Sequence, residues 1–373
     1  MQPIQMVDLQ NQYHRYKNEI DSAIQNVLDS GAFIKGKEVA ELEQKLAEFT
    51  GSKYVIGCAN GTDALQVAFM ALNLPAGSEV ITPAFSYAAV AEVLHLLQLK
   101  PVYCEVIPGT FLMDPKSVES LIGPNTRAIT PVHLYGQCCD MEIILDIAAK
   151  HRLYVIEDTA QAIGAFYTFS NGNKAQAGTM GHIGTTSFFP SKNLGCYGDG
   201  GAIFCSDDSL AKKIKMVANH GQEIKYKHEV VGVNSRLDTI QAAILLVKLK
   251  YLRDFEKARN NVANKYDEGF AAISGLKTPE RAENSTHVFH QYTLTLEDAA
   301  KRDTIMAYLK ENQIPSMIYY PLPLYQQQAY KAEIKMQPTE QLCASVFSLP
   351  IHTEMTDIQI EYIISKVKEF LNS

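Results

Sequence analysis

The chain has 373 residues, enough for a large core and a smaller second unit. It is 46% hydrophobic and 20% charged, with a net charge of -7 and no long block of like charge, which speaks against nucleic acid as a main partner. No apolar run is long enough for a membrane span, and the start, Met1-Gln2-Pro3-Ile4, lacks the basic-then-apolar pattern of a secretion leader, so a cytoplasmic protein is expected.

Residues 14–30 predict an amphipathic helix, with Ile20, Ile24 and Leu28 four apart and a stop at Gly31. A second helix is expected over 38–49, giving an N-terminal arm that can pack on another domain or another subunit. From residue 53, strand-like and helical runs alternate. Strands are expected at 54–58, 79–82, 101–104, 127–132 and 153–157, and helices at 61–72, 87–97 and 141–150. This alternation predicts an α/β fold with a mainly parallel sheet covered on both faces. Residues 166–184 are polar and Gly-rich and read as a surface loop away from the motif residues. A strand at 202–205, a helix at 209–219 and a polar stretch at 221–233 follow, then a long helix from Arg236 to about Phe270. A composition break at Gly275-Leu276-Lys277-Thr278-Pro279 divides the chain into 1–275 and a small α+β unit, 276–373. That unit is expected to hold a strand at 290–296 and helices at 301–312 and 357–371. The seven cysteines form no CxxC pair and read as reduced, buried thiols, so no metal site is expected.

Four motifs carry chemistry. In Ser187-Phe188-Phe189-Pro190-Ser191-Lys192, a lone lysine stands between a strand-like run and the glycine-rich turn that ends at Gly201. Desolvation makes a lysine amine a nucleophile toward carbonyls, and an aldehyde cofactor, pyridoxal 5'-phosphate, is the natural partner; a surface lysine in a hairpin is the alternative. Asn60-Gly61-Thr62-Asp63-Ala64-Leu65 lies where a strand meets a helix N-terminus, a place for a phosphate or simply for an N-cap at Thr62 or Asp63. Glu157-Asp158-Thr159-Ala160-Gln161 puts a carboxylate at a strand's carboxyl end, where Asp158 either pairs with a protonated pyridine nitrogen or caps a helix. Pro83-Ala84-Phe85-Ser86-Tyr87 offers an aromatic ring to stack on a flat cofactor or to pack in the core. Together the four motifs supply every part of a pyridoxal phosphate site.

With these motifs, the chain resembles the nucleotide-sugar aminotransferases of fold type I, the aspartate aminotransferase-like pyridoxal phosphate superfamily. The resemblance runs from Asp8-Leu9-Gln10-Asn11-Gln12 to Tyr319-Tyr320-Pro321-Leu322-Pro323-Leu324 and includes Gly232-Val233-Asn234-Ser235-Arg236-Leu237-Asp238. It implies Lys192 as the Schiff-base lysine and proton shuttle, Asp158 on the pyridine nitrogen and Gln161 near the ring hydroxyl. It also implies Tyr87 over the ring and Gly61, Thr62, Asp63 and Ser187 around the phosphate. Asn234 matches a residue that reaches the phosphate of the other subunit, which implies a homodimer. Arg236, Tyr319 and Tyr320 match the region that meets the sugar nucleotide. Within the family, the chain is most similar to enzymes that aminate C-3 of a UDP-2-acetamido-2-deoxy-3-oxo-glucuronate for bacterial surface polysaccharide, with L-glutamate as donor. Alternatives are a C-3 or C-4 aminotransferase for a dTDP-, GDP- or UDP-linked keto-6-deoxy sugar, and a non-catalytic cofactor-binding regulator. The related dehydratases carry His in place of Lys192.

Overall fold

The computed structural model describes residues 3–372. Helices α1 (Leu9–Ser30), closed by Gly31 in the left-handed region, and α2 (Lys37–Thr50) form the N-terminal arm. Strands and helices then alternate: β1 (Tyr54–Cys58), α3 (Gly61–Leu72), β2 (Glu79–Pro83), α4 (Ala89–Leu96), β3 (Lys100–Cys104), α5 (Pro115–Ser120), β4 (Thr126–Ile129), α6 (Met141–His151) and β5 (Tyr154–Asp158). A hairpin, β6 (Phe166–Thr168) and β7 (Lys174–Gln176), leads to β8 (Ile183–Ser187), β9 (Gly201–Cys205) and α7 (Asp208–Val217). A second hairpin, β10 (Gln222–Ile224) and β11 (Lys227–His228), precedes α8 (Thr239–Leu249) and α9 (Leu252–Phe270). The chain ends with β12 (Leu276–Lys277), β13 (Tyr292–Leu296), α10 (Arg302–Glu311), α11 (Gln337–Ser345), β14 (Val346–Leu349) and α12 (Asp357–Leu371).

The central sheet has the order β1-β9-β8-β5-β4-β2-β3. Only β9 runs against the others, pairing antiparallel with both β1 and β8. One apolar cluster joins α3, α4, α6 and α7 to the sheet, while a second sets Leu42 and Leu46 of α2 and Ala242 and Leu245 of α8 against Val55, Ala202 and Phe204. The sheet is thus covered on both faces, as its near-continuous apolar strands require. A separate core gathers Leu294, Phe347, Leu309 and Ile363 from the C-terminal elements with Tyr266 and Phe270 of α9 and Ile4. Among the described residues, no helix is long and apolar enough to cross a membrane. All seven cysteines are free and buried.

Two expectations are corrected. Residues 166–184 are not a loose surface loop: they hold the β6–β7 hairpin, turned at Gly172 (φ 84), and the start of the fully buried β8. Nor do they lie away from the motifs, since Glu157 accepts the N–H groups of Gly178 and Met180 at 2.8 and 2.7 Å. The long helix from Arg236 is two helices. Tyr251 leaves helical geometry (φ -106, ψ 2), and its ring packs on Tyr16 of α1 at 4.3 Å. The polar stretch at 221–233 contains the β10–β11 hairpin, which turns through Tyr226 (φ 68).

The junction of β8, β9 and α3 tolerates no side chain at two glycines. A Cβ on Gly61 would lie 2.7 Å from Ser187 Cβ, and one on Gly201 would lie 2.5 Å from the carbonyl carbon and oxygen of Asn60. Because the obstacle at Gly201 is backbone, the neighbouring turn itself must shift. Gly201→Ala is expected to lower stability by about 1–3 kcal/mol through overpacking, read as a lower urea midpoint, and to weaken anion binding at residues 60–62. An unchanged midpoint would show that the turn gives way freely.

Candidate active site

The site is built where strands end. Asn60, extended at φ -167, caps α3: its Oδ1 accepts the N–H of Asp63 at 2.8 Å. The cap is therefore Asn60, and neither Thr62 nor Asp63. The N–H groups of Gly61 and Thr62 take no acceptor among the described residues and open on a cavity of about 560 Å³. Free amides at a positive helix end, a hydroxyl on Thr62 and another on Ser187 make an anion cradle.

Asp158 closes β5 and is 8% exposed. Its Oδ1 accepts the N–H of Ala160 at 2.9 Å, and no protein partner takes the other oxygen among the described residues. Burial raises its carboxyl pKa, against the pull of the Ala160 N–H and Lys192. Lys192 lies in the connection between β8 and β9, after a turn closed by its own N–H on Phe189 O at 2.8 Å. Burial pulls the Lys192 amine down to about 8, and Asp158 opposes the shift without overcoming it. An amine with that pKa is half neutral at about pH 8, so a far larger fraction is ready to attack a carbonyl near neutral pH than in an exposed lysine.

The carboxylate beside Asp158 is held just as firmly. Glu157 is fully buried and accepts His133 Nε2 at 2.9 Å and the N–H groups of Gly178, Met180 and Gly181 at 2.8, 2.7 and 2.5 Å. The Cys139 N–H donates to His133 Nδ1 at 3.1 Å, so that nitrogen carries a lone pair and Nε2–H faces Glu157. Backbone bonds link the same segment to Asp158, from His133 N to Asp158 O and from Asp158 N to Pro131 O.

Gln161 is fixed at both ends. The Tyr135 N–H donates to its Oε1 at 2.8 Å, so its Nε2 is the donor to Tyr320 Oη at 3.1 Å. The Tyr320 oxygen is thus an acceptor there, and its own proton is free to point at the cavity. Burial pushes this phenol well above its ordinary pKa, keeping it neutral. Tyr319 is held by its carbonyl, which accepts from Tyr135 Oη. Tyr87 lines the mouth, 62% exposed, with its ring 6.2 Å from that of Tyr320.

The structure therefore brings Gly61, Thr62, Tyr87, Asp158, Gln161, Ser187, Lys192, Tyr319 and Tyr320 to one cavity. Asp63 gives its N–H to the Asn60 cap and does not line the cavity. Asn234 bridges to Asn219, and Arg236 lines a different cleft with Lys35, Glu43 and Lys215, so a single chain leaves both outside. Sequence reasoning missed His290, Gln291, Ser86 and Asp199, which also line the cavity. His290 is 4% exposed, and burial, Lys192 and Arg259 hold its imidazole well below its usual pKa. It comes from the entry to β13, about a hundred residues from Lys192 in sequence, and no local pattern marks it.

The donor set fits pyridoxal phosphate: an anion cradle, an unpaired carboxylate oxygen for a cationic ring nitrogen, and a desolvated amine for the aldehyde. In the cofactor-free protein, acylation of Lys192 should rise with pH through a midpoint near 8. Mass spectrometry of the labelled peptide reads this directly, and a midpoint near 10.5, the value of an exposed lysine, would contradict the burial of this amine.

Comparison with known proteins agrees with this geometry. The chain is 46% identical over 361 residues to the UDP-2-acetamido-2-deoxy-3-oxo-D-glucuronate aminotransferase of Pseudomonas aeruginosa, covering 96% of this chain and 98% of that protein. It is 43% identical to a pleiotropic regulatory protein of Geobacillus stearothermophilus, covering 98% of each. The crystal structure of S. venezuelae DesV in complex with a ketimine intermediate superimposes with a TM-score of 0.94 over the full length of both chains at 35% identity. The fold is that of fold type I. With residues 14–368 matching its profile, the chain belongs to the DegT/DnrJ/EryC1/StrS aminotransferase family.

Proposed function

We propose that the chain is a pyridoxal phosphate-dependent aminotransferase that moves an amino group from L-glutamate to C-3 of UDP-2-acetamido-2-deoxy-3-oxo-glucuronate, for a bacterial surface polysaccharide. The observation that carries the chemistry is the convergence of Lys192, Asp158 and the α3 N-terminus on one cavity. The relative from P. aeruginosa supports the substrate.

When bound, the cofactor supplies a cationic, electron-withdrawing ring that stabilises negative charge at the substrate carbon. Asp158 would hold the proton on the ring nitrogen through its free carboxylate oxygen. Gly61, Thr62 and Ser187 would hold the phosphate, and Tyr87 would cover one face of the site. Lys192 would hold the aldehyde group, and its amine would move the proton at the reacting carbon. A pKa near 8 suits both directions of that transfer at neutral pH. Tyr319 and Tyr320 meet the sugar nucleotide, and Tyr320, anchored by Gln161, presents its hydroxyl proton to the cavity.

The active unit is a homodimer in this reading. Ile224, Tyr226, Val230 and Val231 are exposed together on the segment around the β10–β11 hairpin, and a second copy covers them. That contact carries Asn234 to the phosphate and Arg236 to the substrate in the partner's site.

Two tests follow. With 2-oxoglutarate as acceptor and a panel of UDP-, dTDP- and GDP-amino sugars, the UDP-linked C-3 amino glucuronate should react with the highest kcat/KM. A faster dTDP-linked 6-deoxy sugar would replace it as the substrate, and no glutamate turnover at all would favour a regulatory role of the kind named for the G. stearothermophilus relative. Lys192→Ala should lower kcat by about a thousandfold or more. In addition, Lys192→Ala and Asn234→Ala/Arg236→Ala chains, each inactive alone, should recover about a quarter of wild-type activity when refolded together, since half of the dimers are hybrids with one intact site. No recovery would show that each chain completes its own site.

A further inference from the structure

We propose that Lys248 is a positioning residue for the reaction: from α8, its buried ammonium fixes the carbonyl of Gly195 and so sets the loop that presents Lys192. This rests on the reading of Lys192 given above and goes beyond it.

Lys248 is 1% exposed. Its Nζ donates to Gly195 O at 2.6 Å and stands 5.1 Å from the centre of the Tyr197 ring. Among the described residues, no carboxylate pairs with it; its charged or titratable neighbours are Cys196 and Arg259. Burial brings its amine down to about 8, so at neutral pH it is still mostly an ammonium. A buried ammonium without a counter-ion is an expensive way to fill space, and an apolar chain of the same length would fill it more cheaply. The contact it makes is therefore the feature to explain.

That contact falls on the base of the lysine loop. Cys196 N–H bonds to Phe188 O at 2.8 Å, closing a loop of which Lys192 is the middle. Gly195 lies so close to Phe189 and Pro190 that a Cβ there would meet the Phe189 oxygen at 2.9 Å. Moving the Gly195 peptide thus moves the turn just before Lys192. Gln241, two helical turns ahead of Lys248 on the same face of α8, grips the next peptide: its Oε1 accepts Tyr197 N–H at 2.8 Å and its Nε2 donates to Tyr197 O at 3.4 Å. From the other side, Asn193 Nδ2 donates to Val288 O at 2.8 Å. One helix face therefore holds two successive parts of the loop, and Lys248 supplies a charged grip where Gln241 supplies a neutral one. A charge-assisted bond to a carbonyl is short and directional, which suits it to setting a peptide's orientation.

The test compares wild type with Lys248→Met, a neutral chain of similar length. The readouts are the urea midpoint, the pH midpoint of Lys192 acylation in the cofactor-free protein, and kcat and KM of the loaded enzyme. The urea midpoint is expected to be unchanged or higher. The Lys192 midpoint is expected to rise by half a unit or more toward the exposed-lysine value as the loop relaxes into water. The kcat is expected to fall about tenfold, with KM for the sugar nucleotide little changed, and Lys248→Arg is expected to recover part of the loss. A wild-type Lys192 midpoint with wild-type kcat overturns the proposal. So does a lower urea midpoint with Lys192 unmoved, because Lys248 would then serve the fold alone. If Lys248→Met does not fold, Gln241→Leu decides on the same readouts: a raised Lys192 midpoint supports the α8 grip, and an unmoved one overturns it. Borohydride reduction of the wild-type holoenzyme, followed by peptide mapping, reports separately on the cofactor link at Lys192, so failure of that reading is distinguishable from failure of this one.

Discussion

Desolvation of the Lys192 amine is the constraint on which the rest of the structure depends. A carboxylate stands within reach, and by charge alone Asp158 would hold the ammonium on. Burial wins instead and brings the amine down to about 8, while the same burial raises Asp158. Both groups are thus held away from the water that would stabilise their charges. Such a site is kept only if its walls are rigid, because any opening toward solvent would raise the amine's pKa toward that of an exposed lysine. The close approach of Gly201 to Asn60 and of Gly61 to Ser187 is one form of that rigidity, and the four donors on Glu157 are another.

The fold was largely legible because its strands are buried on both faces. Runs such as Val80-Ile81 and Val155-Ile156 announce a parallel sheet by composition alone, and each motif residue sits at a strand's carboxyl end. Where strands lack that composition, the reading failed. Ile183-Gly184-Thr185-Thr186-Ser187 is central and wholly buried, yet it is mostly polar, and its first two residues fall in the stretch that reads as a surface loop. The β6–β7 hairpin leaves a signal, Asn171-Gly172, inside that same polar, Gly-rich stretch. The break between α8 and α9 left none. It is made by tertiary packing of Tyr251 on Tyr16, and neither Gly nor Pro marks it.

The site divides in the same way. Lys192, Asp158, Gly61 and Ser187 each carry a local pattern, a glycine turn or a strand end, that names them. The layer behind them has no such pattern. Glu157 finds His133 and Met180 at separations of 24 and 23 residues, and Lys248 finds Gly195 across 53. A buried lysine in an apolar helix reads as one polar interruption until the backbone it touches is known. Supporting residues act through contact, and contact over such distances is what a single sequence does not display.

The division has a consequence for specificity. Every group assigned to the chemistry of transfer stands on the central sheet or its immediate connections, where backbone is buried and side chains meet fixed partners. The groups assigned to the sugar nucleotide come from elsewhere. Tyr319 and Tyr320 belong to the segment between α10 and α11, tethered to the sheet by Tyr135 and Gln161. Arg236 lies outside its own chain's cavity, in the cleft it lines with Lys35, Glu43 and Lys215. Change in those segments can alter which sugar is held without disturbing the amine, the carboxylate or the anion cradle. The tether through Gln161 limits that freedom at one point. The Tyr135 N–H fixes the amide, the amide fixes the phenol, and the proton of Tyr320 is thereby aimed by the sheet itself. Of the two tyrosines, Tyr320 is thus bound to the transfer chemistry by geometry. Tyr319 is held by its carbonyl on Tyr135 and by its phenol on Gln291, so its tether runs to another cavity-lining side chain as well as to the sheet.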